Sequence, residues 1–327
     1  MLSKTPPMGW NTWNSFTTEI NESVVLETAI AMVETGLRDV GYQYVVIDDA
    51  WSLSERDSET GRIVADPVKF PRGIQWLSDE IHKRGLKFGM YSCAGALTCG
   101  GYPSSFGREY LDAQTFADWG VDFLKYDFCN VPSTANGVLL YQRMGLALKA
   151  TGREILYSAC NGGAQETETW VRSTGAHMYR TTGDINDNYV SITDIAKSQA
   201  HKLVYSAPGC YNDMDMLVVG MYQRGADQWI SSVDKPKMTA QDYKLHFALW
   251  CVMQSPLIIG CDIRSIDDDM LALLKNPALL ALNQDEEGRP PYMVDRQSEI
   301  AYIYRGLKHL ANGEVLLFAF NLSCGIF

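Results

Sequence analysis

The chain has 327 residues, 46% hydrophobic and 20% charged, an ordinary globular composition with ample length for a large core. Its formal net charge of -11 argues against binding to a phosphate backbone, which needs clustered Lys and Arg. The opening "MLSKTPPMGWNTW" holds no apolar run of signal-peptide length, so a cytoplasmic location is the default expectation, and a secreted one if a leader has been removed. The longest apolar candidate, "ALWCVMQSPLIIG", is broken by Pro256 and falls short of the roughly 20 residues of a membrane span. The cysteines form no zinc-type CxxC pairs and are too sparse for a disulfide scaffold.

Short apolar runs alternate with amphipathic stretches from the start of the chain. "MGWNTWNSF" is the first strand candidate, and "NESVVLETAIAMVETGLRDVG" the first helix. Asn21 is its expected N-cap, Gly41 marks its end, and Val25, Ala29, Met32 and Leu37 fall at helical spacing. "YQYVVIDDAW" is an apolar strand ending in two aspartates; "GIQWLSDEIHKRG" is a helix closing at Gly85. Strand "LKFGMYS", helix "DAQTFADWG", strand "VDFLKYDFC" and helix "NGVLLYQRMGLALKATG" follow. Then come strands "EILYSAC", "MYRTTGD" and "HKLVYSAPG", helix "TAQDYKLHFALWCVM" and strand "SPLIIGCD". "DDDMLALLKNPALLALNQ" supplies the last one or two helices.

Apolar strands separated by helices indicate a parallel sheet buried on both faces. Eight such units fit an α/β fold of the (β/α)8 barrel type, and no GxGxxG follows the first strand to support a dinucleotide fold. The tail is different. "EIAYIYRG" and "EVLLFAFNLS", joined by the turn "KHLANGE", read as the opening strands of a small antiparallel β domain. The expected division is a barrel over residues 1–288 and the start of a C-terminal β-sheet domain over 289–327. Two or three strands rarely hold an independent sheet, so this one leans on the barrel or is incomplete.

Barrel enzymes place their chemistry at the C-terminal ends of the strands. Taken in order, those ends hold Trp10 and Trp13, then Asp48 and Asp49, Tyr91, and Lys125 with Asp127. Cys160 and Asn161, Arg180 and Asp184, Asp213 and Asp215, and Asp262 complete the round. Strand side chains alternate with period 2, so Phe123, Lys125 and Asp127 share a face of "FLKYDFCN". Helix capping or turn formation accounts for Asp213 or Asp262 taken singly, but poorly for Asp127. A carboxylate cluster with aromatics suggests two chemistries: divalent metal binding by oxygen, or glycoside hydrolysis by paired carboxylates over an aromatic sugar platform. None of the histidines (His82, His177, His201, His246, His309) stands at a strand end, which counts against a transition-metal hydrolase. No metal or cofactor is expected.

At these residues the chain resembles glycoside hydrolase family 27, the α-galactosidase and α-N-acetylgalactosaminidase family. The motifs that carry the resemblance are "TPPMGWNTWNSF", "VVIDDAW", "FGMYS", "YPSSFGREYLDAQTFADWGVDFLKYDFCN", "YRTTGDI" and "APGCYNDMDMLVVG". The resemblance implies a retaining enzyme on a (β/α)8 barrel with a small C-terminal β domain. It makes Asp127 the nucleophile and Asp184, four residues after Arg180, the acid/base. A retaining pair stands only about 5–5.5 Å apart. Lys125, sharing a face with Asp127, is expected to favour its carboxylate form, whereas Arg180 would oppose protonation of Asp184.

The resemblance also assigns a sugar pocket. Asp48 and Asp49 match the pair holding the 4-OH and 6-OH of galactose, Lys125 a ring-hydroxyl contact, Trp13 the platform, and Tyr91, Arg180 and Asp215 further polar contacts. Cys99 and Cys129 match a cysteine pair that bridges loops beside the nucleophile, and Cys129 and Asn161 are counted with the substrate-binding set. The chain departs from the family pattern at "SACNGGAQETETW", where Asn161 replaces an acid and two glycines follow. A family cysteine is missing from "TGAHMYR", which leaves Cys160 without a partner. The expected function is therefore hydrolysis of terminal α-D-galactosyl residues of oligosaccharides or glycoconjugates. α-N-acetylgalactosaminidase and β-L-arabinopyranosidase are alternatives on the same scaffold. A non-catalytic sugar-binding barrel is disfavoured because both catalytic aspartates are present.

Overall fold

The computed structural model describes residues 2–295 and 303–322. The strands are β1 (Met8–Asn11), β2 (Tyr44–Val46), β3 (Lys87–Cys93), β4 (Phe123–Asp127), β5 (Leu156–Cys160), β6 (Met178–Arg180), β7 (Tyr211–Asp213) and β8 (Leu257–Ile259). They form one parallel sheet in the order β7-β6-β5-β4-β3-β2-β1-β8. The segment after β7 brings the two ends together: Leu217 pairs in parallel with Ile259, donating from its N–H to the carbonyl of Ile258 at 2.7 Å. The expected barrel architecture is thus present, with helices in the crossovers. The helix Glu22–Glu34 starts where expected, with the Asn21 side chain accepting from Val24 N at 3.0 Å. Among the described residues no helix is long and apolar enough to cross a membrane.

One strand is misplaced by the sequence. "HKLVYSAPG" forms single turns at Gln199–His201 and Leu203–Tyr205, and the true β7 follows it. A strand in a doubly covered sheet buries both faces, yet Val204 is 80% exposed. The real strand, Tyr-Asn-Asp, escapes notice because its buried polar groups are matched individually. Asn212 accepts from the Tyr179 hydroxyl at 2.6 Å and donates to the Lys202 carbonyl at 2.8 Å. The crossover before it also contains an unanticipated helix, Tyr189–Ser198, capped by Asn188 on Ser191 N.

Period-2 alternation divides every strand into an outward and an inward set. Outward residues such as Val45, Phe88, Leu124 and Tyr179 join the large core beneath the helices. Inward residues form a separate cluster of Tyr44, Val46, Phe123, Leu156, Met178, Met216 and Ile258 that fills the barrel floor. The floor fits because β1 and β3 contribute glycines. A Cβ on Gly9 would lie 2.7 Å from Tyr44 Cβ, and one on Gly89 would lie 2.7 Å from Val46 Cγ2 and 3.1 Å from Phe123 Cβ. Two residues further along the same columns the side chains turn polar: Asn11 above Gly9, Asp48 above Val46, Tyr91 above Gly89, Lys125 above Phe123, and Arg180 above Met178. The mouth of the barrel is therefore set by strand parity.

The tail forms the antiparallel sheet β11-β10-β9, with β9 at Tyr292–Asp295, β10 at Ile303–His309 and β11 at Val315–Asn321. The first four residues of "EIAYIYRG" and the last of "EVLLFAFNLS" lie outside the described residues. Met293, Tyr304 and Phe320 pack on the main core, so the sheet leans on the barrel. Replacing Gly89 with valine overpacks the floor against Val46 and Phe123. It should destabilise the fold by about 1–3 kcal/mol, read as a lower denaturant midpoint at unchanged slope.

Candidate active site

The polar tops of the columns converge on one small cavity. Its lining includes Trp13, Asp48, Asp49, Tyr91, Lys125, Asp127, Arg180, Asp184 and Asp215, which is most of the predicted set. A larger, open hollow lies at the opposite end of the barrel, walled by Arg153, Glu154, Ile155 and His177, and gathers no pair of carboxylates.

Asp48 is the hub of the near side. Its Oδ2 accepts from Asn11 Nδ2 and from Lys125 Nζ, both at 2.8 Å, and its Oδ1 accepts from Asp49 N at 3.0 Å. Burial works against the Lys125 ammonium, but Asp48 and its other acidic neighbours prevail and its pKa is raised well above the usual value. Lys125 thus hydrogen-bonds to Asp48, and it influences Asp127 through space. Asp49 accepts from Ala50 N and Gly100 N, both at 2.7 Å. Burial nonetheless lifts its pKa.

Asp127 ends β4. Its Oδ2 accepts from the Tyr91 hydroxyl at 3.0 Å and its Oδ1 from Phe128 N at 2.8 Å. Tyr91 is itself placed by Trp51, whose Nε1 donates to the Tyr91 carbonyl at 2.9 Å. Burial raises the Asp127 pKa, with Lys125 the foremost opposing influence, so the cation that was expected to keep Asp127 ionised offsets desolvation only in part. Cys99 and Cys129 form a disulfide, Cα–Cα 5.1 Å, that ties the loop after β3 to the exit of β4. Cys99 Sγ lies 3.4 Å from Asp127 Oδ2; Cys129 does not line the cavity.

Arg180 organises the far side. One guanidinium nitrogen lies 2.9 Å from both Asp184 Oδ1 and Asp215 Oδ2. Burial would raise the pKa of Asp184, but Arg180 and Lys125 together lower it. Its side chain is 56% exposed, open to solvent at the cavity mouth. Asp215 holds a left-handed backbone, φ 76, normally a strained conformation for a non-glycine residue. Its carboxylate accepts from Ile185 N and Met216 N, and its carbonyl accepts from Trp250 Nε1. Burial raises its pKa, opposed chiefly by Arg180.

Several predicted residues stand elsewhere. Trp10 faces outward, its Nε1 donating to the Cys261 carbonyl, and Asn11 takes the inward place. Asn161 is spent on its own turn, accepting from Thr167 Oγ1 at 2.6 Å and donating to the Ala164 carbonyl at 2.9 Å. Trp170, in the same loop, stands outside the cavity: its Nε1 donates to the Gln165 carbonyl and its ring packs on Tyr141. Asp262 behaves as a cap, accepting from Arg264 N, and Asp213 lies below the cavity accepting from Asp215 N, its pKa pushed by burial to about 6. Asn14 and Met216 line the cavity unforeseen. Parity alone would have exposed Asn11, but Asn14 and Met216 lie past the strand ends, where parity fails.

The family profile Melibiase_2, described as alpha galactosidase A, matches residues 5–285. An α-galactosidase of Cyamopsis tetragonoloba is 46% identical over 291 residues, covering 88% of this chain and 66% of that protein. The chain thus spans just under two thirds of that relative. Alpha-galactosidase 2 of Arabidopsis thaliana is 43% identical over 300 residues, 91% of this chain and 72% of its own length. Among solved structures, alpha-galactosidase I of Mortierella vinacea superposes with a TM-score of 0.89 at 35% identity, covering 98% of this chain and 82% of that one. The Saccharomyces cerevisiae α-galactosidase solved with raffinose gives 0.89 at 33% identity, over 98% and 74%. With the profile spanning almost the entire barrel, the chain belongs to the melibiase-like family, glycoside hydrolase family 27.

Proposed function

We propose that the chain is a retaining exo-glycosidase releasing terminal α-D-galactosyl units. The observation that carries this reading is one small cavity in which Asp127 and Asp184 face a ring of hydroxyl-binding groups. Asp127 attacks the anomeric carbon while Asp184 protonates the departing glycosidic oxygen, forming a glycosyl ester on Asp127. Water, deprotonated by Asp184, then cleaves that ester and restores both carboxyls, so configuration is retained. Asp48 and Asp49 accept from sugar hydroxyls, and an epimer that misplaces one leaves a buried acceptor unpaired.

The resting charge state sets a requirement. Asp184 is held ionised by Arg180, so its proton arrives only when that pair is loosened. Arg180 keeps a second partner in Asp215, and Gly183 beside Asp184 has open space around its Cα. The acid can therefore leave without stranding a buried cation. The substrate class is that of the raffinose bound by the Saccharomyces relative, an oligosaccharide ending in an α-galactosyl unit.

Asp127→Asn should cut turnover of p-nitrophenyl α-D-galactopyranoside by about 10³-fold or more while galactose still binds. Wild-type turnover in that variant, or wild-type preference for the α-N-acetylgalactosaminide or β-L-arabinopyranoside, would remove the reading. Acid inactivation follows protonation of Asp127, because its ionised form is lost as pH falls through its raised pKa. Lys125→Met removes the main cation opposing that rise. The acid limb of the kcat/KM profile should therefore move to higher pH, whatever the loss in absolute rate.

A further inference from the structure

Asp187 follows Asp184 by three residues, is fully buried, and lies outside the cavity. Its Oδ2 accepts from Gln223 N at 2.6 Å and its Oδ1 from the Tyr243 hydroxyl at 2.9 Å. Both donors are uncharged, and burial pushes its pKa up to about 6. A carboxylate buried on neutral donors alone is costly, so a fold that keeps one there calls for an explanation.

What this carboxylate holds is a strained loop. Tyr222 and Gln223 both take left-handed backbone, φ 50 and 60, and Ser232 does the same at φ 51. The Tyr243 hydroxyl, on the helix Ala240–Val252, donates to Asp187 and accepts from Tyr222 N at 2.8 Å. Asp187 thus fixes two consecutive left-handed residues, one directly and one through the tyrosine. Three further bonds join the same segments. Asp187 N donates to the Ile230 carbonyl at 2.9 Å, Asn188 Nδ2 to Ser232 Oγ at 2.9 Å, and Asn186 Nδ2 to the Trp229 carbonyl at 3.2 Å. The segment after β6 is therefore latched to the loop after β7, with Asp187 as the charged centre of the latch.

The latch secures one side of Asp184 only. On the other side Gly183 stands in open space, with nothing within 4 Å of where a Cβ would lie. Between Asp184 and the latch, Ile185 N donates to Asp215 at 2.7 Å, but that carboxylate is shared with Arg180 and Met216 N. Asp184 is thus placed where a free stretch of chain meets a fixed one. Parting from Arg180 moves it on the free side, and the fixed side decides where it comes to rest. We propose that Asp187 is a positioning residue for the acid/base: by latching residues 185–188 to the loop after β7, it keeps Asp184 within reach of the glycosidic oxygen once the Arg180 contact is released. This inference rests on the α-galactosidase reading and deepens it, because Asp187 acts through Asp184 and not by touching the sugar.

The test varies the leaving group. Methoxide departs only with a proton, whereas p-nitrophenolate leaves almost unaided, so the ratio of the two rates reads the acid step apart from any general loss. Asp187→Ala should raise the kcat/KM ratio of p-nitrophenyl over methyl α-D-galactopyranoside about tenfold, a part of the roughly 10²–10⁴ that a general acid supplies. Tyr243→Phe removes one of the two donors. It should raise the ratio by a smaller factor, and it carries the measurement should Asp187→Ala fail to fold. A ratio that does not move, whether or not both rates fall, would mark Asp187 as merely structural and overturn the proposal. If the unaltered protein hydrolyses neither glycoside, the α-galactosidase reading fails and the proposal with it, whereas an unmoved ratio in an active protein overturns the proposal alone.

Discussion

The 2.8 Å contact between Lys125 and Asp48 joins two strands that are not neighbours, reaching past Tyr91 on the strand between them. Lys125 Nζ passes 5.4 Å from the Tyr91 ring centroid on the way. Both charges are largely buried, so neither tolerates loss of the other. Asn11 fastens to the same Asp48 oxygen, and the Asp49 N–H to the other. Lys125 of this centre is the chief influence opposing the rise in the Asp127 pKa, and Tyr91 reaches from the intervening strand to hold its carboxylate. One ion pair thus ties together the side chains that β1 through β4 send to the barrel mouth, over strands already paired by their backbones.

A second centre, Arg180, stands opposite and is built differently. Lys125 makes a single hydrogen bond to a carboxylate, whereas Arg180 is shared between Asp184 and Asp215. Both contacts are made by a single guanidinium nitrogen. The consequence is asymmetry between two aspartates of one cavity. Burial holds Asp127 above the ordinary carboxylate range, and Arg180 and Lys125 hold Asp184 below it. The proposed acid role asks Asp184 to carry a proton that Arg180 opposes, so in that reading the substrate has to part this ion pair.

Much of this was legible in the residues. Parity of "FLKYDFCN" alone predicts that Lys125 and Asp127 point into the barrel, and the alternation of runs predicts the sheet. Legibility failed where apolar content and strand parity part company. Tyr211–Asp213 is a strand of polar residues satisfied one by one, and "HKLVYSAPG" is an apolar-looking run that folds into turns. Asn161 was placed near the sugar by its position after β5, but the left-handed glycines that follow it, φ 64 and 78, curl the loop so that its amide closes its own turn. Asn14 and Met216 were missed because they sit beyond the strand ends, where only three-dimensional closure brings them to the cavity.

The glycines of β1 and β3 lie under all of this. With Gly9 and Gly89 beneath Asn11 and Tyr91, the large side chains of neighbouring strands close the floor, and the polar layer rests on a rigid hydrocarbon plug. The lower half of each strand then answers to volume and the upper half to polar geometry. A lineage or an engineer can re-letter the upper tier for another ligand while the lower tier stays untouched. The converse does not hold, since a single added methyl in the plug would tilt every reader above it.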